Sequence, residues 1–300
     1  MTSWMQFATL GATGELPTVT DTARSTAPIG VFDSGLGGLS VLQHIRSLLP
    51  HEDLIFVADC DQAPYGNKSA DAIQQRAFAL SRFLLEQGAK ALVVACNTAT
   101  AAAISNMRAH FELPIIGMEP AVKPAVAASR SGVVGVLATT GTLQSAQFAA
   151  LLESYGQEVE VVTQACNGLV ECIERGELDT AETRALLEIY MRPLLNAGAD
   201  TLVLGCTHYP FVRPLIESLS SPDIAIIDTG AAVARQLQRK LAEHELLNPS
   251  SLAGNNHFWL NRGTVASFAE TSALIARLWS APAIVLTLPD AYTHIHQHRS

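Results

Sequence analysis

From Pro28 onward, apolar and polar positions fall into two alternating kinds of segment. Short runs rich in Val, Ile and Leu (IGVF, DLIFVAD, ALVVA, PIIGM, VVGVLA, EVEVV, TLVLG and IAIID) have the length and composition of strands. Between them lie longer stretches with helical spacing. In residues 69–87, Ile73, Ala77, Leu80 and Leu84 make one apolar face behind Ser69, a favourable N-cap residue. Strands separated by helices predict βαβ units, hence mainly parallel sheet covered on both faces: an α/β, doubly wound fold. In such sheets ligands bind beyond the carboxyl ends of strands where the winding reverses. The polar residues that follow each apolar run are therefore the candidates for chemistry.

Two of these strand ends match. ALVVACNT (91–98) and TLVLGCTH (201–208) each close an apolar run on a small residue and a cysteine, Cys96 and Cys206. One such cysteine is ordinary core filling, since free cysteine is among the most buried residue types. Two in matched settings predict two similar half-molecules and a shared chemistry. Other runs end on Asp33 and Ser34, and on Thr139 and Thr142. Gly35, Gly37 and Gly38 do not complete a G-x-G-x-x-G dinucleotide fingerprint, because position 40 is Ser. They predict instead a tight strand-to-helix turn whose backbone N–H groups face an anion.

Composition narrows the function classes. A net charge of −9 and an isoelectric point near 5.4 leave no basic stripe, so neither nucleic acid nor an anionic membrane is an expected partner. No apolar run approaches the ~18 residues of a membrane span, and the first positive charge is Arg24. A soluble cytoplasmic protein is expected. Residues 1–27 mix Thr, Ala, Gly and Pro without a period and read as a flexible extension. The five cysteines (60, 96, 166, 172 and 206) lack CxxC spacing and are expected to be free thiols.

Two matched thiols select among chemistries. A metal site needs more ligands than Cys206 and His208. A redox pair usually occurs as CxxC, and a hydrolase needs only one nucleophile. Inverting a carbon centre uses both: one face of the substrate needs a base while the other needs an acid. A thiol, with a reference pKa near 8.5, serves in either role. Asp33 near Cys96, and His208 or a glutamate near Cys206, are the expected proton partners. None of Lys68, Lys90, Lys123 and Lys240 lies in a cofactor motif. Racemisation without a cofactor or metal is therefore expected.

GVFDSGLGGLSVL, PYGNKS, VVACNTATA, GVLATTGT and LVLGCTHYPFV occur in this order, and over residues 28–280 the chain resembles the bacterial glutamate racemases. The resemblance implies two α/β domains related by a pseudo-twofold axis, with the active site between them. Their expected bounds are 28–119 plus 231–285 for the first and 120–230 for the second, followed by a tail at 286–300. It further implies that Cys96 removes the α-proton of D-glutamate and Cys206 that of L-glutamate. Asp33 would assist Cys96, and His208 with Glu174 would assist Cys206. Asp33, Ser34, Asn97, Thr98 and Thr207 would surround the amino and α-carboxylate groups, Thr139 and Thr142 would line the pocket, and Pro64, Tyr65 and Gly66 would hold the side-chain carboxylate. The expected role is supply of D-glutamate for peptidoglycan synthesis.

The related aspartate racemases share the two cysteines, but Thr-His after the second favours the glutamate branch over an aspartate or hydantoin racemase of the same superfamily. A homodimer and activation by a UDP-linked peptidoglycan precursor are further expectations from the resemblance. The chain departs from it in three places. Asn167 and Glu171 stand where many members have prolines, HFWLNRG replaces a Thr-rich segment, and the histidine-bearing tail AYTHIHQHRS extends past the family core. Cys60, Cys166 and Cys172 match no catalytic position and are expected to pack.

Overall fold

The computed structural model describes residues 24–156, 158–262 and 264–293, whose strands form two all-parallel sheets. Strands β1 (Ile29–Asp33), β2 (Leu54–Ala58), β3 (Ala91–Val94), β4 (Ile115–Ile116), β9 (Asn256–Leu260) and β10 (Ile284–Thr287) join in the order β10-β9-β2-β1-β3-β4. Strands β5 (Val133–Ala138), β6 (Glu160–Ala165), β7 (Thr201–Gly205) and β8 (Ala225–Ile227) join as β6-β5-β7-β8. The order β2-β1-β3-β4 in the first sheet is repeated as β6-β5-β7-β8 in the second. Each cysteine of the matched pair follows the third strand of its half, beside the point where the strand order reverses.

The near-continuous apolar runs are explained by burial on both faces. Phe32, Val57, Leu92 and Val94 pack under Leu80, Phe83 and Leu84 of the helix Ala70–Glu86. Val31, Phe56 and Val93 pack on the other face against Leu39, Leu42 and Ile45 and against Val233 and Leu237. The helix Ala70–Glu86 begins as its spacing predicts, with the Ala72 N–H donating to Ser69 Oγ at 3.3 Å. The second sheet has the same two-sided core: Leu137, Leu202 and Leu204 face one side, and Val134, Val136 and Val203 the other.

Neither β9 nor β10 is among the predicted strands, although β10 lies in the apolar run AIVLTL (283–288). β9, NHFWL, buries alternate positions and begins on a polar Asn, while β10 lies at the sheet edge. Thr287 lies past the boundary expected at residue 285, and the chain continues through a turn at Asp290–Tyr292 whose tyrosine hydroxyl bonds the Glu86 carboxylate. The tail histidines and residues 1–23 of the expected extension lie outside the described residues. No described helix is long and apolar enough to cross a membrane.

Candidate active site

The carboxyl ends of the two sheets face each other across a narrow cleft. Both thiols line it, with Ser34, Pro64, Tyr65, Gly66, Asn97, Thr98, Thr139, Thr207 and His208 of the expected residues, and Val170, which sequence reasoning missed. Asp33, Glu174 and Thr142, also expected, stand directly behind this lining. The free space is about 10 Å³, room for roughly one water molecule. None of the lining residues is Lys or Arg. Among the described residues no group of His, Cys, Asp and Glu has the arrangement of a metal site.

Cys96 is the N-cap of the helix Asn97–His110, and its Sγ accepts the Ala99 N–H at 3.4 Å. Ser34 Oγ lies 3.8 Å from the same sulfur. The helix N-terminus favours a thiolate there. Burial, followed by the charge of Asp33, outweighs it and pushes the Cys96 thiol well up. Asp33 is itself fully buried at the end of β1. Its carboxylate accepts the Ser34 and Gly38 N–H groups at 2.6 Å each, and the Thr207 hydroxyl from the other half at 3.2 Å. Burial raises the Asp33 carboxyl despite the opposing pull of the His208 charge and the Ser34 N–H. Burial thus raises both groups, and the Asp33 carboxylate stands beside the Cys96 thiol as its nearest charged partner.

Cys206 faces a different partner. Its Sγ lies 3.7 Å from His208 Nδ1, and His208 Nε2 lies 2.7 Å from Glu174 Oε1. Burial works to lower the His208 imidazole, but its bonds to Cys206 and Glu174 and their charges outweigh burial and raise it well above its ordinary value. Burial likewise pushes Glu174 up, yet the bond and charge of His208, then the Leu36 N–H and Arg262, hold it below its ordinary value. Nε2 also lies 3.2 Å from the Gly37 nitrogen, but it cannot accept there while donating to Glu174. The carboxylate, already on the Leu36 N–H at 2.6 Å, fixes the Nε2–H tautomer and leaves Nδ1 free to take the thiol proton.

The glycines of the DSGLGG turn follow from this crossing. A Cβ on Gly35 would meet Glu174 Oε1, and one on Gly37 would meet the His208 ring and Thr207 Oγ1. The turn does present N–H groups to anions, and those anions are the chain's own Asp33 and Glu174. Gly37→Ala is expected to lower kcat/KM by roughly 10–100-fold, because displacing a buried ring costs about 1–3 kcal/mol. Steady-state kinetics check this, beside a thermal melt in which the same overlap should appear as a fall of a few degrees.

Thr98 of the first half bonds Thr139 and Thr142 of the second, Oγ1 to Oγ1, at 2.9 and 3.3 Å. Asn97 is buried against the cleft, and neither its Nδ2 nor its Oδ1 has a hydrogen-bond partner. A buried carboxamide left open in this way is a recognition group for a polar ligand. The Tyr65 hydroxyl is already committed, donating to Asp59 Oδ2 at 2.5 Å. A ligand carboxylate at Tyr65 and Gly66 therefore meets main chain and ring rather than this phenol proton. Asp59, Arg76 and Asn261, which anchor the tyrosine, were not expected; their only signal is that Asp59 ends the run IFVAD. Cys60, Cys166 and Cys172 are free and buried, the first two within apolar clusters.

A family model described as Asp/Glu/Hydantoin racemase matches residues 29–237. A glutamate racemase of Ectopseudomonas mendocina is 64% identical over 225 residues, which is 75% of this chain and 86% of that protein. A glutamate racemase isoform from Bacillus anthracis aligns in structure with a TM-score of 0.80 at 31% identity, over 89% of this chain and 99% of its own. Escherichia coli glutamate racemase, solved in complex with L-glutamate and the activator UDP-MurNAc-ala, aligns with a TM-score of 0.76 at 31% identity, over 87% and 97%.

Proposed function

The chain belongs to the Asp/Glu/hydantoin racemase family and is an amino-acid racemase, and on that premise we propose that it interconverts L- and D-glutamate by proton transfer between two cysteines. With L-glutamate bound, Cys206 yields its proton to His208 Nδ1, and the resulting thiolate takes the α-proton. Cys96 then delivers its own proton to the opposite face, giving D-glutamate. The return reaction exchanges the two roles. After each turnover the thiols have swapped protonation states, and Asp33 and His208 are the groups beside them that reset the pair.

One observation carries this reading: thiols from topologically equivalent strands line one cleft, each with its own proton partner. Hydroxyls, main-chain N–H groups and the open Asn97 carboxamide supply contacts for two carboxylates without a cation that would compete for the thiolates. A cleft of about 10 Å³ is too small for an amino acid, so substrate entry requires the halves to part. The proposal divides the chain at 119/120 and 230/231, with the site between the halves. D-glutamate made in the cytoplasm would feed peptidoglycan synthesis. Activation by a UDP-linked precursor, such as the one bound to the E. coli relative, and a homodimer complete the proposal.

The test is incubation of purified protein in deuterated water with either enantiomer of glutamate, or of aspartate, without added cofactor. Rotation should decay to zero while deuterium enters the α-position of glutamate. Turnover of aspartate alone would assign the other substrate. Repeating the assay with the precursor, on the full chain and on a chain lacking residues 1–23, tests activation: an unchanged rate in both ends that part of the proposal.

A further inference from the structure

We propose that Arg262 is a positioning residue for the Cys206 side of the reaction, its guanidinium completing across the domain interface the carboxylate that holds His208. The proposal rests on the reading of His208 and Glu174 as partners of Cys206. Arg262 belongs to HFWLNRG, the segment that departs from the family's Thr-rich wording, and follows β9 in the first sheet. Glu174 belongs to the second half, on the helix Leu169–Glu174.

Glu174 Oε1 is used twice, by His208 Nε2 at 2.7 Å and the Leu36 N–H at 2.6 Å. Its Oε2 is buried with no hydrogen-bond partner, and Arg262 Nη2 stands 3.8 Å from it. This is longer than a hydrogen bond and short enough for direct attraction between charges in a poorly hydrated place. The guanidinium is aimed from two other sides: Nε donates to Thr271 Oγ1 at 3.0 Å, and Nη1 to Asp61 Oδ1 at 3.3 Å. The arrangement leaves one cation directed at the one open oxygen of the carboxylate.

The consequence is a coupling of closure to proton transfer. When the halves part, Glu174 loses both the Leu36 N–H and the guanidinium, the two first-half groups that hold its carboxylate in place. A carboxylate released from both is free to leave the Nε2–H of His208, and Nδ1 is then no longer assured as the acceptor for Cys206. Besides Arg262, the titratable groups acting on Glu174 or acted on by it are His208, Asp33 and Cys60, while Asp61 faces the guanidinium from its other side. Removing the cation makes Glu174 easier to protonate, so the acid limb of the rate profile moves to higher pH.

The experiment compares R262Q, R262K, E174Q and R262Q/E174Q by racemisation of both glutamate enantiomers across pH. R262Q should lower kcat/KM about 10-fold and shift its acid limb upward, while R262K keeps the limb of the parent. In the E174Q background, R262Q should cost less than about 2-fold, because a residue acting through Glu174 has nothing left to act on. An unshifted limb in R262Q, or an undiminished 10-fold cost in the E174Q background, overturns the proposal. Full activity in E174Q overturns the reading beneath it, and the proposal with it.

Discussion

Cys206→Ala should abolish racemisation and still let deuterium enter D-glutamate slowly without inversion, while Cys96→Ala should label only L-glutamate. The asymmetry has to be sought in exchange, because thermodynamics hides it from steady-state rates. The equilibrium constant between enantiomers is one, so kcat/KM for the two must stay equal in every variant. Either cysteine variant therefore loses both directions together, by at least about 10³-fold for removal of an essential acid or base. A surviving thiol, by contrast, can remove a proton from its own face and return a deuteron to that face. The Cys96 thiol is kept protonated by burial and by Asp33, so labelling in Cys206→Ala should quicken as pH rises. Nuclear magnetic resonance of the α-position, together with optical rotation, reads both quantities. Racemisation at the parent rate in either variant, or labelling of both enantiomers by one variant, would sink the two-thiol mechanism.

The parts of this site that were legible in the sequence are those delivered by strand ends. An apolar run followed at once by Asp33, Cys96, Thr139 or Cys206 announces its own position, because parallel strands point their carboxyl ends at a common edge. Glu174 was reached only through resemblance, since nothing local separates it from a solvated glutamate at a helix end; its partner His208 lies 34 residues away. The glycines of DSGLGG were readable as a turn but not as the surface on which Glu174 and His208 rest, which is a property of the opposing half. β9 escaped because it mixes Asn and His into a short segment, and its burial comes from neighbours distant in sequence, with Phe56 and Trp279 against Phe258. Arg262 and Arg76 escaped for the same reason. A charged residue in a sequence reads as surface until its partner is known.

Arg76→Met should lower stability by about 3–5 kcal/mol, the cost of leaving a buried charge without its partner. Arg76 and Asp59 are both fully buried, joined through Nε–Oδ2 at 2.8 Å and Nη2–Oδ1 at 2.7 Å. Asp59 also accepts from Tyr65 and from Asn261 Nδ2, the latter at 2.6 Å. The carboxylate is thus the common acceptor for three donors drawn from the turn after β2, the helix Ala70–Glu86 and the loop after β9. Removing the cation strands the charge, while the neutral donors that remain cannot balance it. Asp59→Leu combined with Arg76→Met should recover part of the loss, because both charges are then gone. Recovery is incomplete, since Tyr65 and Asn261 lose their acceptor inside the core. Urea denaturation followed by circular dichroism measures all three proteins. A single variant within about 1 kcal/mol of the parent, the cost of an ordinary hydrogen bond, would sink the argument. Because Tyr65 lines the cleft, the double variant should also bind glutamate more weakly even where it remains folded. This separates what the ion pair does for the fold from what it does for the substrate.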